Sequence, residues 1–246
     1  MERTTKEWAV AHPGETVRAL LLGVTPEIAA MNWPEKSSLL AVDRSYSMAR
    51  SVWPGNIAGL RSVVCGNWLA LPRRASSCDV VIGDGSINSL EYPNGFQALA
   101  EAVAGVLRKD GNLILRCYLQ CERPENRQTV FEDARRGSIG SFHAFKMRLL
   151  MAMQESAESG VVVKDVHQAW MEENLDPRSL PTGEGWNSAA VKTIEFYRES
   201  NTAYSFPTLQ QLRPALLAWF DEISVLWPRY ELGERCPTLV LRPRKT

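Results

Sequence analysis

Four clusters of small and polar residues stand at the ends of short apolar runs, and their types and order suit the grip on a ligand. The first is Gly23, Val24, Thr25, Pro26 and Glu27. Thr25 is a good helix N-cap, Pro26 fits the first helical position and Glu27 complements the helix dipole, so a helix should begin there. Gly23 lets a ligand come close to the backbone. About 20 residues on stands Asp43, at the distance where a nucleotide-binding α/β unit places an acid to accept bonds from ribose hydroxyls. Arg44 and Met48 follow and are grouped with it. The third cluster is Gly66, Asn67 and Trp68, and the fourth is Gly83, Asp84 and Gly85, followed by Ser86. Asn67 suits an adenine edge and Trp68 its face.

Each residue also has a plainer reading. Gly23 makes a tight turn, Asp43 caps a helix starting near Ser45, Asn67 ends a strand and Trp68 belongs to a core. The ordered spacing on successive strand ends favours the ligand reading. Among groups able to move a proton, Asp84, His143 and His12 are the candidates. His143, beside Phe142 and Phe145, reads equally as a packing or surface residue.

The elements that must position these residues follow from hydrophobic pattern. RALLLGV (18–24), LLAVDRS (39–45), RSVVC (61–65), DVVIGDG (79–85) and GNLILRCYL (111–119) are continuous apolar runs, each closed by turn residues. Such runs predict parallel strands buried on both faces by helices. Between the fourth and fifth, Phe96, Leu99, Val103, Val106 and Leu107 keep helical spacing, with Asn94 as cap and Arg108 and Lys109 at the end. Residues 121–210 break the alternation. Asn126 to Arg136 reads as a charged helix, Phe142, Phe145, Leu149 and Met153 share a helical face, and LDPRSLPTGEGWNS reads as a long loop. A helical patch at Leu209, Leu212, Leu216 and Phe220 precedes EISVLWPRYEL and PTLVLRPR, which Gly233 separates and which should pair antiparallel.

Bulk properties narrow the function classes. The 246 residues are 45% hydrophobic, enough for a sizeable core. The 28 basic residues balance the 28 acidic ones, which disfavours a nucleic-acid partner or an anionic membrane. Five scattered cysteines suit a reducing compartment, Cys117 and Cys121 are too far apart for a CxxC pair, and no metal-ligand spacing recurs, so no metal is expected. MERTTKEWAV has no apolar segment of the kind a signal peptide needs, and no uncharged run is long enough to span a bilayer. A cytoplasmic location is expected.

On these residues the chain resembles the class I S-adenosylmethionine-dependent methyltransferases. LLLGVTPE stands where that family has its glycine-rich motif, AVDRS where it has the ribose acid, CGNWLALP where it has the adenine stretch, and DVVIGDGSINSL its fourth-strand motif. The resemblance implies a Rossmann-like seven-stranded, mostly parallel sheet with a C-terminal antiparallel hairpin and a helical insertion after the fifth strand. It implies one domain: an N-terminal extension (1–17), a cofactor-binding core (18–120), an insertion forming an acceptor lid (121–210), and a C-terminal helix and hairpin (211–246). Gly23, Val24, Thr25 and Pro26 would line the methionine moiety of S-adenosylmethionine, Asp43 would hold the ribose, and Asn67 and Trp68 would flank adenine. Gly83, Asp84 and Gly85 would lie beside the transferred methyl. The family's first motif has two or three glycines, where this chain has Gly23 alone.

The expected chemistry is in-line methyl transfer to a small-molecule acceptor, with alignment supplying roughly 7–11 kcal/mol of the barrier. Trp170, Trp186, Tyr197 and Tyr204 in the insertion could form an aromatic lid or simply be core. Two alternatives stand beside this reading. A nicotinamide-dependent oxidoreductase predicts a GxGxxG turn that is absent, and a non-catalytic S-adenosylmethionine-binding protein is compatible with the glycine-poor motif.

Overall fold

A computed structural model describes residues 1–177, 180–181 and 186–244. Nine strands form in chain order: β1 Val17–Leu22, β2 Ser37–Asp43, β3 Arg61–Cys65, β4 Cys78–Asp84, β5 Leu107–Arg116, β6 Val161–Val162, β7 Ala203–Tyr204, β8 Phe220–Leu226 and β9 Thr238–Pro243. Seven of them make one sheet in the order β3-β2-β1-β4-β5-β9-β8. The first five are parallel, and β9 enters antiparallel between β5 and β8. The order reverses between β1 and β4, and such a switch point opens a crevice at the carboxyl ends of the strands. β6 and β7 pair separately within the insertion.

The helices are α1 Glu2–Ala11, α2 Pro26–Ala29, α3 Tyr46–Ser51, α4 Asn94–Val106, α5 Arg127–Arg135, α6 Phe142–Met153, α7 Val163–Glu173, α8 Ser188–Lys192 and α9 Leu209–Leu217. One face of the sheet packs on α4 and α9 through Leu20, Leu22, Phe96, Val103, Leu212 and Leu216, and the other takes Trp8 of α1 against Leu21, Ile82 and Ile114. β1 and β4 are thus buried on both sides, as their uninterrupted apolar runs require.

Several local expectations need correction. RSVVC is not buried on both faces: β3 is the sheet's edge, and Ser62, Val64 and Cys65 are exposed because only a single turn of 3-10 helix, Trp68–Ala70, follows it. Asn94 does not cap α4. Pro93 holds that position and Asn94 is already helical. Arg108 and Lys109 belong to β5, because the backbone turns extended at Leu107. Phe220 opens β8 rather than closing α9, and the hairpin connection runs from Trp227 to Pro237 instead of turning at Gly233. The first helix does start at Pro26 behind Thr25, yet it ends after four residues.

The insertion builds its own core. Asn126 caps α5 and Ser141 caps α6, each side-chain oxygen accepting an amide hydrogen of the first turn. Phe142 and Phe145 of α6 meet Trp170 and Trp186 with ring centroids 5.1–5.4 Å apart, in mostly edge-to-face contacts. Both tryptophans are buried, and Trp186 donates its indole N–H to Ile139 O at 2.8 Å. They form this core, with Tyr197 and Tyr204 half-buried against it. Part of the loop between α7 and Trp186, residues 178–179 and 182–185, lies outside the described residues.

Candidate functional site

At the carboxyl edge the tips of β1, β2 and β3 converge. Gly23 has φ +106°, a conformation L side chains rarely adopt, and its N–H donates to Val42 O at 2.8 Å. A β-carbon placed on Gly23 would sit 3.9 Å from both Asp43 Oδ2 and Trp68 Cζ2. The indole of Trp68 reaches back over the sheet and donates to Val42 O at 2.6 Å. The Asp43 carboxylate does begin the turn into α3, since Oδ1 accepts the Ser45 N–H at 2.8 Å. Its Oδ2 accepts no bond among the described residues and faces Gly23 and Trp68. The turn reading of Asp43 therefore holds for Oδ1, while Oδ2 is left unengaged among the described residues.

The remaining grouped residues are placed less closely. Val24 buries its side chain in the core beneath α1, leaving only its backbone at the edge. Thr25 and Pro26 start α2 and are half-buried. Arg44 and Met48 are exposed at the start of α3. Asn67 turns its Oδ1 onto the Leu69 N–H at 3.0 Å, which caps the 3-10 turn. Gly66 lies where a β-carbon would meet Val42 Cγ1 at 3.1 Å.

The tip of β4 faces a different neighbour. Asp84 is the register partner of Arg116 at the tip of β5, and the two form a bidentate pair. Burial opposes the charge on Arg116, but the Asp84 carboxylate outweighs it and raises the guanidinium pKa. Both carboxylate oxygens of Asp84 are thus engaged by the one guanidinium. Gly83 allows Ser86 and Leu115 to close over it, as a β-carbon would come within 2.5 Å of Ser86 Oγ and 2.7 Å of Leu115 Cδ1. Ser86 Oγ is buried there without a hydrogen-bond partner among the described residues. At Gly85, φ +64°, a β-carbon would stand 2.7 Å from Tyr118 Cε2, so only glycine lets that ring lie on the β4 tip.

Beyond Tyr118 opens a cavity of about 300 Å³ lined by Arg116, Tyr118, Ser141, His143, Tyr230 and Cys236. His143 Nε2 is 3.5 Å from the Tyr118 hydroxyl. Burial against the insertion, with Lys146 and Arg116 nearby, lowers the His143 pKa, which keeps the imidazole neutral near pH 7. Burial pushes Tyr118 up to about 12 and Cys236 up to about 11, so both stay protonated. Glu231 holds the far wall by accepting Gly140 N–H at 2.5 Å and Ser141 Oγ–H at 2.9 Å. A larger cavity, about 490 Å³, lies at the amino ends of β2 and β3 by Leu39, Leu60 and Arg61, and contains none of the candidate residues.

His12 is at the wrong end of the sheet. It closes α1, with Nδ1 2.9 Å from Trp8 O and Nε2 2.8 Å from Asp110 Oδ2. Asp110 precedes Arg116 by six residues of strand, about 20 Å. The groups that sequence reasoning missed, Arg116, Tyr118, Asn88 and Tyr230, had one legible signal. The first two close the fifth apolar run, at the edge where open α/β sheets bind ligands. Asn88 is buried and ties the site together: its Nδ2 donates to Tyr118 O at 2.7 Å and Ser205 O at 2.8 Å, and its Oδ1 accepts the Tyr118 N–H at 2.9 Å.

The fold is that of the class I S-adenosylmethionine-dependent methyltransferases. An S-adenosylmethionine-dependent methyltransferase from Methanosarcina mazei superposes with TM-score 0.51 and 14% identity, covering 94% of this chain and 93% of that one. The 1,6-didemethyltoxoflavin N1-methyltransferase of Burkholderia thailandensis, solved with 1,6-didemethyltoxoflavin and S-adenosylhomocysteine, gives TM-score 0.52 at 12% identity over 99% of this chain and 80% of its own. A Rhodobacter sphaeroides protein described as a zinc-dependent alcohol dehydrogenase gives 0.63 at 10% identity over 99% and 90%. No family model and no curated protein sequence matches the chain. Among the described residues no helix is long and apolar enough to cross a membrane, and no group of three His, Cys, Asp or Glu is placed to hold a metal ion.

Proposed function

We propose that the protein transfers a methyl group from S-adenosylmethionine to a small-molecule acceptor held in the cavity between β5 and the insertion. The observation that carries this reading is the meeting of Gly23, the free Asp43 oxygen and the Trp68 indole at one switch-point crevice, with the Tyr118 and His143 cavity beside it. The donor set suits the cofactor. Asp43 Oδ2 would accept ribose hydroxyls, the Trp68 ring would pack on the adenine, and the unpartnered Ser86 hydroxyl would serve the methionine end. When bound, S-adenosylmethionine supplies the electrophilic methyl group, so the protein needs no nucleophile of its own.

The residues of this chain then align and deprotonate. Tyr118, held by Asn88, forms the floor on which the acceptor rests, and the Asp84–Arg116 pair fixes the β4 and β5 tips on either side of it. Neutral His143 Nε2 would take the proton that an acceptor hydroxyl or amine gives up on being methylated. Such a base is worth about 10²- to 10⁴-fold in rate. The modest volume and the polar walls given by Ser141 and Tyr230 suit a small polar molecule better than a polymer.

Calorimetric titration with S-adenosylmethionine and with NAD tests the cofactor, in the wild type and in Asp43→Ala. The expected result is binding of S-adenosylmethionine alone, weakened at least tenfold by the substitution. Preference for NAD, or equal affinity in the variant, overturns the reading. A labelled-methyl assay against fractionated small molecules then separates an enzyme from a binding protein, because the latter transfers nothing.

A further inference from the structure

A second cavity, about 360 Å³, lies between α1 and the strands β5, β8 and β9, and nothing in the transfer reaction uses it. Asn112, 5% exposed, lines it, and its Oδ1 is buried without a hydrogen-bond partner among the described residues. An amide oxygen left in that state carries a desolvation cost that an arriving donor would offset. Arg242 on β9 lines the same space and has no carboxylate within ion-pairing distance among the described residues. Arg3 on α1 lines it from the other side together with its ion-pair partner, the exposed Glu7 at 3.6 Å, and the remaining carboxylate of the lining, Asp110, is already engaged by His12 and Arg108. β8 is irregular here, with its register shifted between Glu222 and Ser224, and the residue between, Ile223, forms part of the wall. Such bulges re-aim side chains and gather beside binding sites.

We propose that this cavity binds a small organic anion of metabolite size that carries a hydrogen-bond donor. Its anionic group rests on Arg242 and Arg3, and its hydroxyl or amine donates to Asn112 Oδ1. An apolar occupant would cover the buried Asn112 oxygen without supplying a donor, and a neutral polar one would forgo the attraction of Arg242. The volume is in the range of small-molecule sites. Carboxylates and phosphate monoesters share this chemistry. Asn112 stands four strand residues from Arg116, about 13 Å, so the site is separate from the transfer cavity and does not depend on that reading.

The test is calorimetric titration of the intact protein with L-malate, AMP and glucose, in the wild type, Arg242→Gln and Asn112→Leu. At least one of the two anions should saturate a single site with a Kd below about 1 mM, while glucose does not bind. Arg242→Gln should weaken that binding at least tenfold. Asn112→Leu, which keeps the volume but removes the acceptor, should weaken it as well. Malate alone binding marks a carboxylate site and AMP alone a phosphate site, either of which supports the proposal. Saturation by neither anion, equal binding of glucose, or an unchanged Kd in Arg242→Gln overturns it. Arg242 is exposed, so its variant tests the site without disturbing the core. Binding that persists in Asp43→Ala separates this cavity from the cofactor edge.

Discussion

Asp84 and Arg116 clasp each other across neighbouring parallel strands, Nε to Oδ1 at 2.5 Å and Nη2 to Oδ2 at 2.7 Å. Their shared register position means that the sheet itself sets the distance between them. The aspartate looks from sequence like a reactive group, and its neighbour turns it into a fastener. Replacing one partner strands the other charge in a largely buried place, whereas replacing both leaves none. Asp84→Asn should therefore lose about 2–3 kcal/mol of stability, less than a fully buried pair because Arg116 is partly exposed. The double variant Asp84→Leu, Arg116→Met should regain most of it. Urea unfolding of the three proteins measures this, and equal losses in single and double variants would contradict it.

The imidazole of His143 is held neutral by burial and by the positive charges of Lys146 and Arg116. A histidine whose folded pKa lies below its unfolded value binds fewer protons when folded, so its contribution to stability is lost as pH falls through that range. The protein should accordingly unfold at a lower temperature below about pH 6.5, and His143→Asn should flatten that slope. In the methyl-transfer reading, kcat/KM should also fall on the acid side, and the variant should lose both that limb and about 10²-fold or more in rate. A variant with the wild-type profile would remove His143 from the reaction.

Gly85→Ala sets a β-carbon 2.7 Å from the Tyr118 ring and forces an alanine into φ +64°. The backbone strain alone costs on the order of 1–2 kcal/mol. The larger effect should be on catalysis, because Tyr118 must leave the β4 tip. Turnover should drop at least tenfold with a smaller change in cofactor affinity, as read from KM against kcat.

Trp68→Phe removes the indole N–H that donates to Val42 O and keeps an aromatic face. Trp68→Ala removes both. If the indole forms the wall of the adenine site, affinity for S-adenosylmethionine should fall modestly in the first and at least tenfold in the second, since stacking on a base is worth about 1–3 kcal/mol. Fluorescence quenching on titration would follow it directly, with Trp68→Phe showing which part of the signal comes from this position.

Phe142→Ala tests whether the insertion stands on its own aromatic core. Truncating a fully buried phenylalanine costs about 3–5 kcal/mol, and here it withdraws one ring from Phe145, Trp170 and Trp186 at once. Acceptor turnover should suffer more than cofactor affinity, because the sheet packs through a different set of side chains.

Sequence pattern carried the sheet well because β1, β2 and β4 are uniformly apolar, and such runs have few other homes. It misjudged β3 for an instructive reason: Val63, Val64 and Cys65 look like an interior strand, but the chain after them makes only a short turn, and the missing helix leaves one face bare. Capping was read less well: Thr25 takes the N-cap position without accepting an amide hydrogen, whereas Ser45, Asn126, Ser141 and Thr208, which the pattern did not single out, each accept one. Nothing in DVVIGDG announces that β5 will bring an arginine to the level of Asp84. The partners of a strand tip depend on pairing between segments distant in the chain, and local composition cannot supply them. The same holds for His12, which is close in sequence to β1 but turned by α1 toward Asp110.

Asn88 bonds at once to the chain leaving β5, at Tyr118, and to the chain leaving the insertion, at Ser205, whose N–H in turn donates to the Asn88 carbonyl at 2.8 Å. Two separately packed bodies thus share a pivot made of one carboxamide and its own peptide. A sequence change in the insertion that shifts Ser205 would therefore reach the Tyr118 ring through this carboxamide and retune the cavity by tilting its floor.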